Sequence, residues 1–436
     1  METSNSLHDQ LRRIVGESGI LSEGQVSDYT YDSCIPKIVV MPASVQALQN
    51  VLRFASEQNL SVMPVGSGTK LGIGNLAPKT DIVLATTRLN KVIEYEPADL
   101  TVTVEAGIRL ADLQTELAKN RQFLPLNPPY ADRCTIGGIV STNASGPLRL
   151  RYGTARNLVL GMHVTHATGT VVKSGGKVVK NVAGYDLNKL YIGAFGTLGI
   201  ITEVTLKLAP LPAHEAILAV QSETIQDAVN IGLKVVCSQT LPTFVNLFVN
   251  VEFNQFHEKK PTLLVGFAGD PETVAWQLNS TQNLVEQNGS IGVQKIEGES
   301  HENICHIIQE FSAVDRKSDT VLVKVNLKRT DLAEFAEHGL KDTCQMMVLL
   351  GNGVLYLKIP IDSTTDFQQL ADTLTQLRQR VIDVGGNLII ETAPPELKQQ
   401  IDVWGPIGST LKLMEQVKAK FDAKSVLNPG RFASNI

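Results

Sequence analysis

The sequence predicts an α+β chain in two main bodies, and three observations carry that prediction. Helical and strand periods alternate over the first part of the chain, glycine crowds the stretch that follows, and Pro210-Leu211-Pro212 then marks a boundary. Beyond that boundary glycine thins out while Gln, Asn and Thr rise. Residues 131–200 hold 12 of the 34 glycines, and Gly66, Gly68, Gly72 and Gly74 fall within nine positions. Such density between apolar strands points either to backbone that must approach something closely or to plain tight turns.

Residues 1–34 read as an N-terminal helix (LHDQLRRIVG) and a linker. Ile38 to Val40 form a short strand. Ser44 is an expected N-cap for a helix whose apolar positions, Val45, Leu48, Val51, Leu52 and Ala55, recur at a helical period. Strands follow at Leu60–Val65, Asp81–Ala85 and Thr101–Glu105, then a helix at Leu110–Lys119. Short apolar runs around glycine turns make the stretch from Gly161 to Leu208 mostly β. In the remainder, strands near 216–220, 244–251, 262–267, 321–327, 346–350, 354–360 and 387–391 alternate with helices at Asp270–Gln287 and Ser363–Val384. That pattern predicts an antiparallel sheet with helices packed on it. From Pro394 a helix at Ser409–Phe421 leads to the tail Leu427-Asn-Pro-Gly-Arg-Phe432. The expected divisions are 1–34, 35–212, 213–393 and 394–436.

Composition excludes several functions. The 39 Lys+Arg against 44 Asp+Glu give a net charge of −5, which offers no general attraction to nucleic acid or anionic membrane. No apolar run reaches the ~20 residues of a membrane span, and the start shows no secretory signal. Five scattered cysteines fit a reducing cytoplasm, and no C-x-x-C run could hold a cluster or structural zinc. His301, Cys305 and His306 read as a helix surface rather than a metal site. The expected metal content is none.

Four motifs remain. Gly66-Ser67-Gly68-Thr69 follows a strand and can form an amide nest for anionic oxygens. Its G-x-G-x-x-x-G spacing, with no helix behind it, disfavours a Rossmann site. Next come Thr135-Ile-Gly-Gly…Asn143-Ala-Ser-Gly146 with Arg151-Tyr-Gly153, then Lys180 to Leu190, then Gly193 to Thr202. Paired glycines at 137 and 138 leave peptide groups free to reach a planar ring.

These motifs, with Leu427 to Phe432, resemble the PCMH-type FAD-binding flavoproteins of the vanillyl-alcohol oxidase superfamily, and within it the glycolate oxidase and D-lactate dehydrogenase group. The resemblance implies an α+β fold: a two-part PCMH-type FAD-binding domain followed by an α+β cap domain with an antiparallel sheet. It places FAD pyrophosphate against Gly66, Ser67, Gly68 and Thr69, and the ribityl chain and ring along Ile136, Gly137, Gly138, Asn143, Ser145 and Gly146. Gly196 and Ile200 would lie near the adenine half. With neither His nor Cys between Pro64 and Asn75, FAD is expected to bind noncovalently.

The implied activity is oxidation of a small 2-hydroxy acid, glycolate or D-lactate, by hydride transfer to flavin. The implied setting is a cytoplasmic complex with a catalytic flavoprotein paralogue and an iron–sulfur subunit. Relatives carry two histidines thought to hold a metal or take the hydroxyl proton. Here Tyr356 and Thr392, the latter after Glu391, stand at those places. The catalytic residues are therefore left open. A self-sufficient oxidoreductase using another base and a noncatalytic FAD-containing subunit are the alternatives. His163, His166, Tyr185 and Lys324 are candidate players whose simpler reading is structural.

Overall fold

A computed structural model of the 436-residue chain describes residues 2–32, 34–176, 185–253, 256, 259–315, 319–338 and 344–436. The Lys180–Gly184 part of the third motif lies outside them. Apart from a two-residue pairing of Ala209–Pro210 with Gln122–Phe123, the strands form three sheets.

The first sheet is parallel: β1 (Ile38–Val40), β2 (Val62–Val65) and β3 (Ile82–Ala85) run in the order β1-β3-β2. Two helices, α1 (Glu2–Val15) and α2 (Val45–Glu57), supply Leu11, Leu48, Val51 and Leu52 to its core. Ser44 caps α2 as its position suggests, with Oγ accepting from the Ala47 amide at 3.2 Å. Asp81 anchors the sheet edge. Its buried carboxylate pairs with Lys37 at 2.7 Å and Lys79 at 3.0 Å and accepts from the Ser61 amide at 3.0 Å.

The second sheet is antiparallel and built from β4 (Val92–Glu96), β5 (Thr101–Glu105), β6 (Val159–Thr165), β7 (Val171–Gly175) and β8 (Ile200–Lys207), in the order β4-β5-β8-β6-β7. Helix α3 (Leu110–Ala118) and the short α4 (Ile136–Thr142) pack on it through Leu113, Leu117, Ile136, Ile139 and Val140. Helix α4 departs from the sequence reading, which kept this stretch as open glycine backbone. Thr135 caps it, accepting from the Gly138 amide at 3.3 Å. Burial of the three apolar side chains outweighs the ~1 kcal/mol per residue that two glycines cost a helix.

The third sheet is the eight-stranded antiparallel one expected after the proline boundary. Its strands are β9 (His214–Gln221), β10 (Phe244–Val249), β11 (Thr262–Gly269), β12 (Gly292–Ile296), β13 (Thr320–Asn326), β14 (Gln345–Leu349), β15 (Val354–Pro360) and β16 (Asn387–Thr392). They run in the order β12-β9-β11-β10-β14-β15-β13-β16. One face carries Val321, Val323, Leu355 and Leu357 against helices α5 (Ile225–Val236), α6 (Pro271–Glu286) and α8 (Phe367–Asp383). The other carries Phe248, Leu264 and Met347 against α7 (Gly298–Glu310) and Phe311. The edge strands β4 and β12 escaped the sequence reading because both are largely exposed and show no clean apolar alternation.

The tail returns to the first sheet. Leu427 pairs with Val62, the Val62 amide donates to Val426 O at 2.7 Å, and the Asn428 amide donates to Val62 O at 2.8 Å. Helix α9 (Leu411–Phe421) contributes the buried Lys418, whose ammonium reaches Thr197 O, Asp422 and Leu427 O.

Candidate functional site

Between the parallel sheet and the second sheet runs a cleft enclosing about 1010 Å³ of empty space, part of it open to solvent. Its walls come from the loop after β2, the start of α4, the approach to β8, and the tail. The fold explains each wall. Strand β2 ends at Val65, and Gly66 follows with no room for a side chain, since a Cβ there would lie 2.1 Å from Thr135 Oγ1. Gly68 then turns the chain at φ +80°, a conformation that disfavours other residues. The amides of Ser67, Gly68, Thr69 and Lys70 have no backbone acceptor among the described residues, so the loop presents donors to the cleft.

Eight of the sequence-derived site residues line this cleft: Gly66, Ser67, Gly68, Thr69, Gly137, Gly138, Gly196 and Ile200. The other four are not among the residues that line it. Ile136 is buried in the second core. Asn143 ends α4 in a left-handed turn, Ser145 accepts from the Ala155 amide at 3.1 Å, and Gly146 packs against Asn127. Lys70, Cys134, Thr135, Phe195, Asn428 and Arg431 line the cleft without having been singled out. The tail motif was the available signal for two of them.

Arg431 is buried in the wall. Its guanidinium donates to Leu71 O at 2.6 Å and to Ile73 O, and it sits 4.3 Å from the centre of the Tyr31 ring. It thereby sets a positive charge beside the glycine loop. Asn428 donates from Nδ2 to Phe195 O, which leaves its buried Oδ1 with no partner among the described residues. A row of free amides, a buried cation and an orphan acceptor fit a ligand that is anionic at one point and hydrogen-bonding along its length.

A scan for known families matches residues 36–175 to the FAD binding domain. The chain is an FAD-dependent flavoprotein. It is 25% identical to glycolate oxidase subunit GlcD of Bacillus subtilis (strain 168), over 92% of this chain and 91% of that one. It is 26% identical to the mitochondrial D-lactate dehydrogenase [cytochrome] of Arabidopsis thaliana, over 91% of this chain and 73% of that one. The fold is that of p-cresol methylhydroxylase in its substrate-bound crystal structure, with TM-score 0.75, 17% identity, and 99% and 97% of the two chains covered. The flavoprotein is an FAD-dependent oxidoreductase of PCMH-type fold. Burial pushes the thiol of Cys134 in the cleft wall up to about 12.

A narrower slot opens off the cleft toward the eight-stranded sheet. Thr69, Lys70, Tyr130, Ser312, Leu322, Glu391 and Thr392 line it. Lys70, one residue past the glycine loop, donates to Glu391 Oε2 at 3.0 Å, while Lys324 Nζ stands 3.6 Å from Oε1. Lys324 and Tyr356 are register partners on β13 and β15, with the ammonium 5.6 Å from the ring centre. Burial opposes ionisation of Glu391, but the charges and hydrogen bonds of Lys70 and Lys324 together outweigh it and hold the carboxyl below its usual range. The Tyr356 oxygen, and then Glu391, raise Lys324 above an ordinary lysine despite burial. The slot thus holds fixed charges.

The other candidates lie elsewhere. His163 pairs with Glu203 at 2.6 Å and His166 with the Tyr191 hydroxyl at 2.7 Å, neither at the cleft, and Tyr185 is exposed. Cys305 lies 3.5 Å from His301 on α7. No group of three His, Cys, Asp or Glu side chains able to hold a metal occurs among the described residues.

Proposed function

We propose that this flavoprotein oxidises a small 2-hydroxy acid to the 2-oxo acid, with glycolate and D-lactate as the first substrates to try. The observation that carries the reading is the Lys70–Glu391–Lys324 junction, a charged slot that opens directly off the cleft. FAD supplies the acceptor for a hydride. This chain's residues supply the rest. Lys70 and Lys324 attract and orient the substrate carboxylate. Glu391 takes the hydroxyl proton through Oε1, the oxygen that Lys324 approaches at only 3.6 Å. The C–H electron pair leaves C2 as the O–H bond breaks, and a C=O bond forms. Similarity to the GlcD subunit and the D-lactate dehydrogenase supports this substrate class.

Tyr356 and Thr392, where relatives carry histidines, favour a second reading in which this chain works within a complex. Its partners would be a catalytic flavoprotein paralogue and an iron–sulfur subunit that removes electrons. The scattered cysteines, none of them in a disulfide among the described residues, suit a cytoplasmic setting. No helix among the described residues is long and apolar enough to cross a membrane.

The test is anaerobic addition of glycolate or D-lactate to the purified chain while following flavin absorbance. Bleaching by the lone chain supports self-sufficient oxidation. Bleaching only after partner subunits are added supports the complex. A flavin that neither acid bleaches under either condition contradicts both.

A further inference from the structure

Relatives carry two histidines thought to hold a metal or take the hydroxyl proton, and the donors that stand at their places here do not fit a metal. Tyr356 and Thr392 offer hydroxyl oxygens in place of imidazoles, and the Glu391 carboxylate already faces two ammonium groups. A cation arriving there would displace Lys70 and Lys324 and meet Arg149 as well, which bears electrostatically on Lys324. Arg149 Nε is buried and has no hydrogen-bond partner among the described residues.

The charge balance favours the opposite ligand. Lys70 lines the slot and Lys324 reaches its Glu391 from behind, so with Arg149 bearing on Lys324 the positive charges at this junction outnumber the one carboxylate. Lys70 is brought there by the cofactor loop and Lys324 by the cap sheet, so the two charges converge from different parts of the fold. Their side chains are only 21% and 19% exposed, too little for bulk water to screen them fully. Ser312 adds a hydroxyl-bearing side chain to the slot wall, while the Tyr130 hydroxyl there is already paired with the backbone of Val314.

We infer that Lys70 and Lys324 take the place of a divalent cation in this chain and form the anion-binding floor of the slot. The ligand class is a small carboxylate whose oxygens accept from both ammonium groups, with Glu391 holding the pair apart and in register. The inference rests on the slot being the substrate site.

Oxalate, a two-carbon dianion with no C–H bond to oxidise, is the probe. It is titrated into the FAD-loaded protein, and binding is read from perturbation of the flavin spectrum rather than from turnover. Lys70→Met and Lys324→Met should each weaken oxalate about ten- to a hundredfold, as expected for loss of a charged hydrogen bond. Lys70→Arg should restore most of the affinity. Treatment with EDTA should change the wild-type affinity less than about twofold. FAD content and melting temperature of each variant separate lost binding from lost folding. Oxalate binding that is abolished by EDTA and restored by zinc or manganese would overturn the inference. So would unchanged affinity in both folded Met variants, or no spectral response in the wild type. If oxalate binding follows the lysines but neither glycolate nor D-lactate bleaches the flavin, the substrate reading fails and the ammonium floor stands.

Discussion

The cleft and the slot beside it are built by opposite means. The cleft is a backbone site: its glycines remove side chains so that amides can face a ligand, and its shape follows from two sheets meeting. The slot is a side-chain site, assembled from residues as far apart as Lys70 and Glu391, whose charges must balance one another in a buried place. A backbone site fails when a side chain is added. A side-chain site fails when one is removed.

The largest effect should come from adding atoms to the cleft. Gly138→Val and Gly68→Glu should each abolish FAD retention, read as loss of flavin absorbance relative to protein absorbance after purification. A Cβ at Gly138 meets nothing closer than Thr135 Oγ1 at 3.1 Å, so the branched side chain would project into the cleft rather than be refused by the fold. A flavin ratio equal to wild type in both would remove this placement of the cofactor.

Removing a charge from the slot should leave FAD in place and slow its reduction. Glu391→Gln should lower the anaerobic flavin-reduction rate about 10²- to 10⁴-fold, the usual contribution of a general base. The folded pKa of Glu391 is depressed, so in the wild type the base stays ionised and the rate should be level through neutral pH. It should fall only as acid titrates the carboxylate below its ordinary range. A fall centred near neutrality would point to a different base.

A third change separates the cap from the cofactor. Phe248 is fully buried, with the Phe253 and Phe311 rings at 5.2 and 5.8 Å. Phe248→Ala should cost about 3–5 kcal/mol of stability by denaturant unfolding. Flavin retained by the still-folded fraction would show that the two regions are independent.

The smallest change concerns the first sheet. Lys37 and Lys79, with hydrogen bonds from Ser61, overcome burial and bring Asp81 to about 2, below the ordinary aspartate value. Its contribution is therefore full above about pH 4 and is lost as pH falls through the folded pKa. Asp81→Asn should lower the melting temperature by several degrees at pH 7. The gap should close on acidification toward pH 2.

The same contrast explains what the sequence made legible. Backbone sites leave local marks: the glycine loop at 66–69, the pair at 137–138 and the tail at 427–432 are short, contiguous and chemically unusual. The N-cap at Ser44 is equally local, and it accepts the expected Ala47 amide. Helix α4 was missed because its glycines argue against a helix while the force that makes it, burial of Ile136, Ile139 and Val140, is tertiary. Lys324 looked like a polar strand residue. Only folding shows that it shares Glu391 with a lysine from the cofactor loop.

A crystal structure of the FAD-loaded protein soaked with oxalate tests the account most directly. The account predicts the flavin in the cleft along Gly66–Thr69 and Gly137–Gly138. It places oxalate oxygens within about 3 Å of both Lys70 Nζ and Lys324 Nζ, the distance of a charged hydrogen bond. Oxalate bound elsewhere, or held through a metal ion on Glu391 with the lysines displaced, would contradict it.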